Sequence, residues 1–267
     1  MKKWAVSALV YLLIIVGGYY VYASSYGTES HDENMPVNDN GAKSHEQGHE
    51  ENNVNHNGDS EVIPSLKVHN GELIITLNDL DGNPVSDLEV NHEKLMHLIV
   101  VSTDLKGYKH LHPQMVEPGV FKISHSLPVG EYKAFVDIKP IGKEYETAPI
   151  PFMTGEVHNE NSLIVDSELT KEAGGHTVKL IPSSLKVNEE IQLTFDLTGN
   201  TPEPYLGALG HVVILDQKGK NYIHVHPLAG NEPVFATKFS EPGIYKIWAE
   251  FKFNGEVFVY PYVVEIK

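Results

Sequence analysis

Histidine is the residue type whose number and spacing in this chain could support chemistry. The chain has 267 residues, of which 15 are histidine and none is cysteine. Neutral imidazole is a common ligand of copper and zinc, and the lack of cysteine excludes thiolate sites, disulfides and cysteine nucleophiles. Two sets of three histidines recur with the same spacing, one set in each half of the chain: His97, His110 and His112, then His211, His224 and His226. The sequence therefore predicts a histidine-ligated metal site in each half.

The spacing within each set fits a β-hairpin. Because His110 and His112 lie two residues apart, they point to the same face of a strand. A turn centred between Asp104 and Leu105 would place His97 opposite His112, with His110 on the diagonal. Three imidazoles that converge in this way suit Cu(II) or Zn(II), bonded at about 2.0 Å.

Three further side chains lie near the first set along the chain. Met96 precedes His97, and Met115 follows His112 by three residues. Thioether sulfur favours Cu(I), so copper is the expected metal and zinc the alternative. His92 is expected to act as a fourth ligand or as a partner of a ligand. Because imidazole must be neutral to bind a metal, we expect the affinity to fall below pH ~6.5.

The folded part of the chain is a duplication. Residues 72–77 recur as residues 190–195, and the repeated segments are offset by about 113 to 119 residues. Apolar residues alternate with polar ones in both copies, turns rich in proline and glycine separate these stretches, and helical periodicity is missing. Phe135 and Trp248 occupy matching positions and are expected to pack against the site or the other copy. The predicted fold class is all-β, with two tandem antiparallel β-sandwich domains of immunoglobulin-like or cupredoxin-like type.

Five parts are expected along the chain. Residues 1–23 form a transmembrane anchor or a signal peptide, 24–62 a disordered acidic tether rich in histidine, 63–154 the first sandwich, 155–173 a linker, with a short helix at 168–173, and 174–267 the second sandwich. Residues 4–23 carry no charge and, as a helix, could cross a hydrocarbon core of ~30 Å. Lysines before this run and acids after it predict a single-pass membrane protein with its domains outside the cytoplasm, or a secreted protein after cleavage.

Composition limits the partners. The chain has 36 acidic and 20 basic residues, a formal net charge of −16 and no arginine. A negative chain without guanidinium groups is poorly suited to nucleic acid. The acidic field would instead concentrate cations, so the expected partners are a metal ion, the membrane and a protein that donates or accepts the metal.

No enzyme activity is predicted. The zinc-protease pattern at residues 45–49 lies in the polar tether, whereas that motif works only on a helix with an apolar face. A metal-dependent hydrolase would need a general base close to the ion, and Glu93 is the candidate that the sequence offers for it.

The motifs resemble those of a group of bacterial extracytoplasmic proteins with tandem cupredoxin-like or immunoglobulin-like domains. The resemblance covers residues 63–267 and rests on residues 90–101 with His110-Leu111-His112-Pro113, and on residues 205–211 with His224-Val225-His226-Pro227. It implies a β-sandwich fold and a role in handling copper or other heavy metals. Without cysteine, the electron-transfer site of true cupredoxins is absent.

Two functions are therefore weighed. The first is a membrane-anchored extracytoplasmic protein that binds copper for sequestration or delivery. The alternative is an immunoglobulin-like interaction module that recognises a protein or a cell-wall partner. In that alternative the histidines are structural and form a polar, hydrogen-bonded interface between the two domains.

Overall fold

The computed structural model describes residues 60–156, 163–225, 227 and 232–267. The expected anchor and nearly all of the expected tether lie outside these residues. None of the described segments is a helix long and apolar enough to cross a membrane. The described residues form sixteen strands: β1 Val62–His69, β2 Glu72–Asp79, β3 His97–Ser102, β4 Tyr108–Leu111, β5 Gln114–Glu117, β6 Val120–Ser124, β7 Glu131–Asp137, β8 Pro149–Met153, β9 Thr170–Ala173, β10 His176–Pro182, β11 Glu190–Asp196, β12 His211–Asp216, β13 Tyr222–Val225, β14 Val234–Lys238, β15 Gly243–Phe253 and β16 Glu256–Ile266.

Each half of the chain builds two four-stranded antiparallel sheets. In the first half the strand orders are β1-β2-β6-β5 and β4-β3-β7-β8, and in the second half they are β9-β10-β11-β14 and β13-β12-β15-β16. The predicted all-β fold with two tandem sandwiches is confirmed. The short helix expected at residues 168–173 is wrong, because Thr170–Ala173 is strand β9 and pairs with β10.

The core of each sandwich follows from the period-two pattern of its strands. In β2, Leu73, Ile75 and Leu77 are fully buried, while the residues between them are half-buried. Burying such an aliphatic side chain contributes about 1.5–3 kcal/mol to stability. The second half has its own core, in which Phe195, Phe235 and other aromatic residues pack together.

The two sandwiches pack against each other through the outer faces of the sheets that contain β3 and β12. All six residues of β3 are buried, as are the first five of β12, so these central strands are covered on both faces. Each half contributes buried residues to one apolar cluster at the contact, which we call the interface cluster: Ile99, Val101, Leu105, Phe135, Val213, Leu215 and Trp248.

Matching aromatic pairs hold this contact in a reciprocal manner. The ring of Tyr108 stacks on Trp248 with centres 5.0 Å apart, and the ring of Tyr222 stacks on Phe135 at the same separation. Each pair joins one half to the other, and the positions correspond in the duplication. The two halves are therefore related by an approximate two-fold arrangement at their contact.

We expect the interface cluster to carry a large share of the stability. Trp248→Ala removes a fully buried ring and its stacking contact with Tyr108. The variant should lower the free energy of unfolding by about 3–5 kcal/mol. The measurement is chemical denaturation monitored by circular dichroism of the backbone, a signal that does not depend on tryptophan. Leu80→Ala is the control, because Leu80 is 68% exposed and should change the free energy by less than about 0.5 kcal/mol. An equal, small effect of both variants would contradict the packed contact.

Candidate metal centre

A tight turn precedes β3 and β12, which begin with His97 and His211. The turn before β3 is closed by a bridge between Asn91 and Lys94, and the turn before β12 by one between Tyr205 and Ala208. Both turns contain two successive residues with positive φ, the first of which is His92 (46°) in the first copy. The turn places a backbone carbonyl beside the histidine that opens the strand.

That carbonyl fixes the outer nitrogen of the histidine in both copies. The Nε2 of His97 donates to the carbonyl oxygen of Asn91 at 2.9 Å, and the Nε2 of His211 donates to that of Tyr205 at 3.0 Å. When the ring is neutral, its Nδ1 then carries a lone pair. Both histidines are almost completely buried, with exposed fractions of 0% and 1%.

The β3–β4 hairpin has the predicted register. Leu98 pairs with Leu111 and Ile99 with His110, so the next position brings His112 opposite His97. His97 and Ile99 lie on the face that meets the second half, which places the histidines at the end of the interface cluster. The hairpin thus carries its imidazoles into the contact between the sandwiches.

The first set of histidines converges. His97, His110 and His112 each offer a ring nitrogen, and these three atoms lie within 4.8 Å of one another. Their ring centres are 5.1, 5.0 and 4.6 Å apart. An ion bonded at about 2.0–2.1 Å to an imidazole nitrogen lies about 3 Å from the ring centre, so two rings on one tetrahedral ion have centres about 5 Å apart. We call these three residues the histidine triad.

The nitrogens of the histidine triad divide into inner and outer ones. The Nδ1 of His97 and the Nε2 of His110 face each other at 2.8 Å, while the Nδ1 of His110 contacts the Oε2 of Glu250 at 2.6 Å. Metal-ligating histidines usually have their second nitrogen bonded to a carbonyl or a carboxyl group in this way. The Nε2 of His112 is buried and has no hydrogen-bond partner among the described residues.

The hydrogen bonds of the histidine triad determine which atom carries each proton. Because the Nε2 of His97 donates to a carbonyl, its Nδ1 must accept, and the Nε2 of His110 therefore donates to it. With both rings neutral, the Nδ1 of His110 accepts in turn, and the carboxyl group of Glu250 is the donor. This order requires a protonated carboxyl group, and burial raises the pKa of Glu250 to about 8.

Burial also keeps the imidazoles neutral. Desolvation is the largest cause that lowers the pKa of His97 to about 4, and it likewise lowers the pKa of His110 and His112 to about 3. The same cause lowers the pKa of His211 to about 2. Neutral rings are the form that binds a metal, so these pKa shifts move the expected loss of affinity to a lower pH than the ordinary imidazole value suggests.

His211 and His224 of the second set join the same cluster. The ring centre of His211 is 5.7 Å from that of His110, and the ring centre of His224 is 5.7 Å from that of His97. His92 also lies in the cluster, with its ring centre 5.4 Å from that of His211. The sequence predicts one site in each half, whereas the structure brings histidines of both halves together at their contact.

The two methionines proposed from the sequence are not brought to the cluster. Met96 is fully buried in the core of the first sandwich, because neighbouring residues of a strand point to opposite faces and His97 faces the contact. Met115 lies on β5, in the other sheet, and packs against the same core. His226 lies outside the described residues.

Sequence reasoning did not assign Asp137 and Glu250 to the site. Asp137 accepts a hydrogen bond from the Nδ1 of His224 at 2.5 Å, as Glu250 contacts His110. The signal was present, since the two acids occupy matching positions in the duplication. Their contacts cross from one half to the other, and a hairpin model of each half by itself could not show that.

Comparison with known proteins identifies the repeated unit. Residues 61–155 and 171–267 both match one family, described as a domain of unknown function (DUF8832), and the chain belongs to that family. The two matches confirm the duplication as two tandem copies of a domain. They name no metal and no activity.

Among the solved structures, one match is to domains of a chicken protein. The chain is 13% identical to the FN1–FN3 domains of chicken CNTN1, with a TM-score of 0.23, and the match covers 79% of this chain and 66% of that one. No curated protein sequence matches the chain.

The buried imidazoles should make the metal-free protein sensitive to acid. In the unfolded chain histidine titrates near pH 6.5, whereas the four lowered values lie between about 2 and 4. Below about pH 6.5 the unfolded state therefore binds more protons, and the free energy of unfolding falls, by up to about 1.4 kcal/mol per pH unit for each histidine. Glu250 acts oppositely, because its raised pKa gives stability at low pH that is lost as the pH rises through about 8.

We expect a stability maximum near pH 6.5, a steep loss towards pH 4 and a shallower loss towards pH 8.5. Urea denaturation in the presence of a chelator measures it. His211→Gln should make the acid limb shallower, whereas His69→Gln, at an exposed position, should leave its slope unchanged. A flat profile between pH 4 and 6.5 would show that the imidazoles are not buried in the neutral form.

Proposed function

We propose that this protein binds a transition metal through His97, His110 and His112, and that it sequesters or delivers the ion rather than catalysing a reaction. The observation that supports this most is the histidine triad, whose ligand nitrogens already lie within 4.8 Å of one another. The buried Nε2 of His112, which has no hydrogen-bond partner among the described residues, is what an ion would satisfy.

Copper is the preferred ion and zinc the alternative. The two methionines pack in the first core, so the preference no longer rests on thioether sulfur. It rests on the three neutral imidazoles, because Cu(II) binds nitrogen ligands more tightly than other divalent first-row ions do. Zn(II) remains the alternative, since three histidines and one open position also suit a tetrahedral ion.

A carrier or sequestering role fits the surroundings of the triad. Glu250, the carboxyl group closest to the ligands, is 4% exposed and bonded to His110, so it is not placed to activate a water molecule as a general base. A location outside the cytoplasm, with an anchor in the membrane and a protein that donates or accepts the ion, stays a prediction from the sequence of residues 1–62.

Removal of one triad imidazole should abolish tight binding. His112→Ala is the sharpest variant, because the Nε2 of His112 makes no hydrogen bond with the described residues whose loss could disturb the fold. In calorimetric titration with Cu(II) and Zn(II) we expect a loss of affinity larger than the 10–100-fold that removal of a ligand's partner costs. His125→Ala, outside the cluster, is the matched control and should bind like the parent protein.

Binding of neither ion more tightly than micromolar would contradict the proposal. The interaction module with structural histidines would then be the better description, because the hydrogen bonds of the cluster would be its whole purpose.

Metal binding should release about one proton at pH 7. An ion that takes the Nε2 of His110 displaces the proton there, and the ring keeps a proton on Nδ1 by taking it from Glu250. Calorimetry in buffers of different ionisation enthalpy counts the protons. In Glu250→Gln the side-chain amide has no proton to give up, so release should fall to near zero. Glu256→Gln, at an exposed position, should release as many protons as the parent protein. Equal release in all three proteins would contradict the proton order.

A further inference from the structure

Each copy supplies one acidic side chain that contacts a histidine of the other copy. His110 of the first copy contacts Glu250 of the second at 2.6 Å, and His224 of the second contacts Asp137 of the first at 2.5 Å. The hydroxyl group of Tyr222 also donates to Asp137, at 3.2 Å. All four side chains of the two pairs are at most 15% exposed. The second copy thus has the same outer support for its histidines as the histidine triad has.

The hydrogen bonds of His211 and His224 determine which of their nitrogens a second ion would use. The Nε2 of His211 is bonded to the carbonyl of Tyr205, and the Nδ1 of His224 to Asp137. By position in the duplication, the Nδ1 of His211 and the Nε2 of His224 correspond to the facing nitrogens of His97 and His110 in the first copy. The second copy therefore presents the same two kinds of nitrogen to the cluster.

His92 supplies a third imidazole to this second pair. Its ring centre lies 5.4 Å from that of His211 and 6.3 Å from that of His224, and the latter two are 6.1 Å apart. These separations exceed the 4.6–5.1 Å of the triad by about 1 Å, so the rings must approach slightly to share an ion. His92 belongs to the turn before β3 and reaches the second half, where it hydrogen-bonds to the backbone of Leu206.

We propose that His92, His211 and His224 bind a second ion of the same class, so that two metal ions form a pair between the sandwiches. This inference rests on the proposed function, because it assumes that the histidine triad takes the first ion. The wider spacing means that the second position fills after the triad and binds less tightly. One of its ligands comes from the first copy, so the second ion also ties the two sandwiches together.

A cleft provides a route to this second position. It has a volume of about 910 Å³ and is lined by residues of both halves, including Asn91, Asp137, Tyr145, Tyr222 and His224. His224 and Asp137 are 5% and 15% exposed, so the cleft reaches the pair that supports the second position. The cleft is therefore the side from which an ion would approach the second position.

The test is a Cu(II) titration of the full chain followed by calorimetry and electron paramagnetic resonance. The histidines that precede residue 60, His31, His45, His49 and His56, are first replaced by alanine so that they cannot bind copper. We expect two ions per chain. The first should give the signal of an isolated Cu(II), and the second should reduce that signal and add a half-field transition, because the two ions are close enough to couple.

Two variants aim at the second position alone. His92→Asn keeps a residue that tolerates the positive φ of this turn, and His211→Ala removes a ligand outright. Both should retain the first ion with its isolated signal and lose the second ion and the coupling. His125→Ala is the control and should keep both ions. Should His211→Ala fail to fold, His92→Asn still decides the question, and circular dichroism without metal shows which variants are folded.

The outcomes separate the two proposals. One ion per chain, unaffected by His92→Asn and His211→Ala but lost in His112→Ala, would overturn the ion pair and leave the triad in place. One ion whose affinity depends on both His112 and His211 would mean a single shared ion and would also overturn the pair. No tight binding in the parent chain would overturn the proposed function itself.

Discussion

The structure depends on the removal of several imidazole rings from water at the contact of two β-sandwiches. A buried polar group without a partner costs about 1–3 kcal/mol, so each ring nitrogen in this place needs a hydrogen bond or an ion. The turns before β3 and β12, which present the carbonyls of Asn91 and Tyr205, meet this need for the rings of His97 and His211. Glu250 within β15 provides the hydrogen bond for His110, and Asp137 at the end of β7 provides it for His224.

Because each copy supplies an acid to a histidine of the other, the hydrogen bonds of both copies require the contact. Burial raises the pKa of Glu250, which contacts His110 of the first half, and Asp137 of the first half accepts from His224 of the second. For Asp137, burial is the largest single influence and favours the neutral form, but the hydrogen bonds from His224 and Tyr222 and the nearby imidazoles together lower the pKa. The interface cluster excludes water from the end of the sheets, which strengthens these hydrogen bonds. Neither copy alone contains the whole arrangement.

The fold could be predicted from the sequence because it depends on local patterns. Period-two alternation, turn residues and the internal repeat report which face of each strand is buried and how often the unit occurs. The hairpin register that brings His112 opposite His97 followed from the turn alone, and the antiparallel pairing of Leu98 with Leu111 agrees with it. The sequence of residues 168–173 does not show the strand, because the half-buried positions of β9 are Lys171 and Ala173, and a lysine at one of them hides the alternation.

The site could be predicted only in part, because it is built between the copies. Spacing along the chain showed that His97, His110 and His112 can converge, but it carries no information about which outer face of one sandwich meets the other. The roles of Glu250 and Asp137, and the meeting of both histidine sets, follow from that contact. Met96 shows the same limit. It is adjacent to His97 in sequence, yet its side chain lies in the core of the first sandwich and not at the contact.

A hydrogen-bonded interface and a metal site are not exclusive descriptions of this cluster. The Nδ1 of His97 and the Nε2 of His110 are 2.8 Å apart with a proton between them, whereas two nitrogens bound to one tetrahedral ion at about 2.0 Å are about 3.3 Å apart. An ion can therefore replace the proton with a movement of about 0.5 Å, while the outer bonds to Asn91 and Glu250 hold the rings in place. The hydrogen bond keeps the rings at nearly ligand spacing in the metal-free protein, so the same contacts that satisfy the buried imidazoles also prepare them to bind an ion.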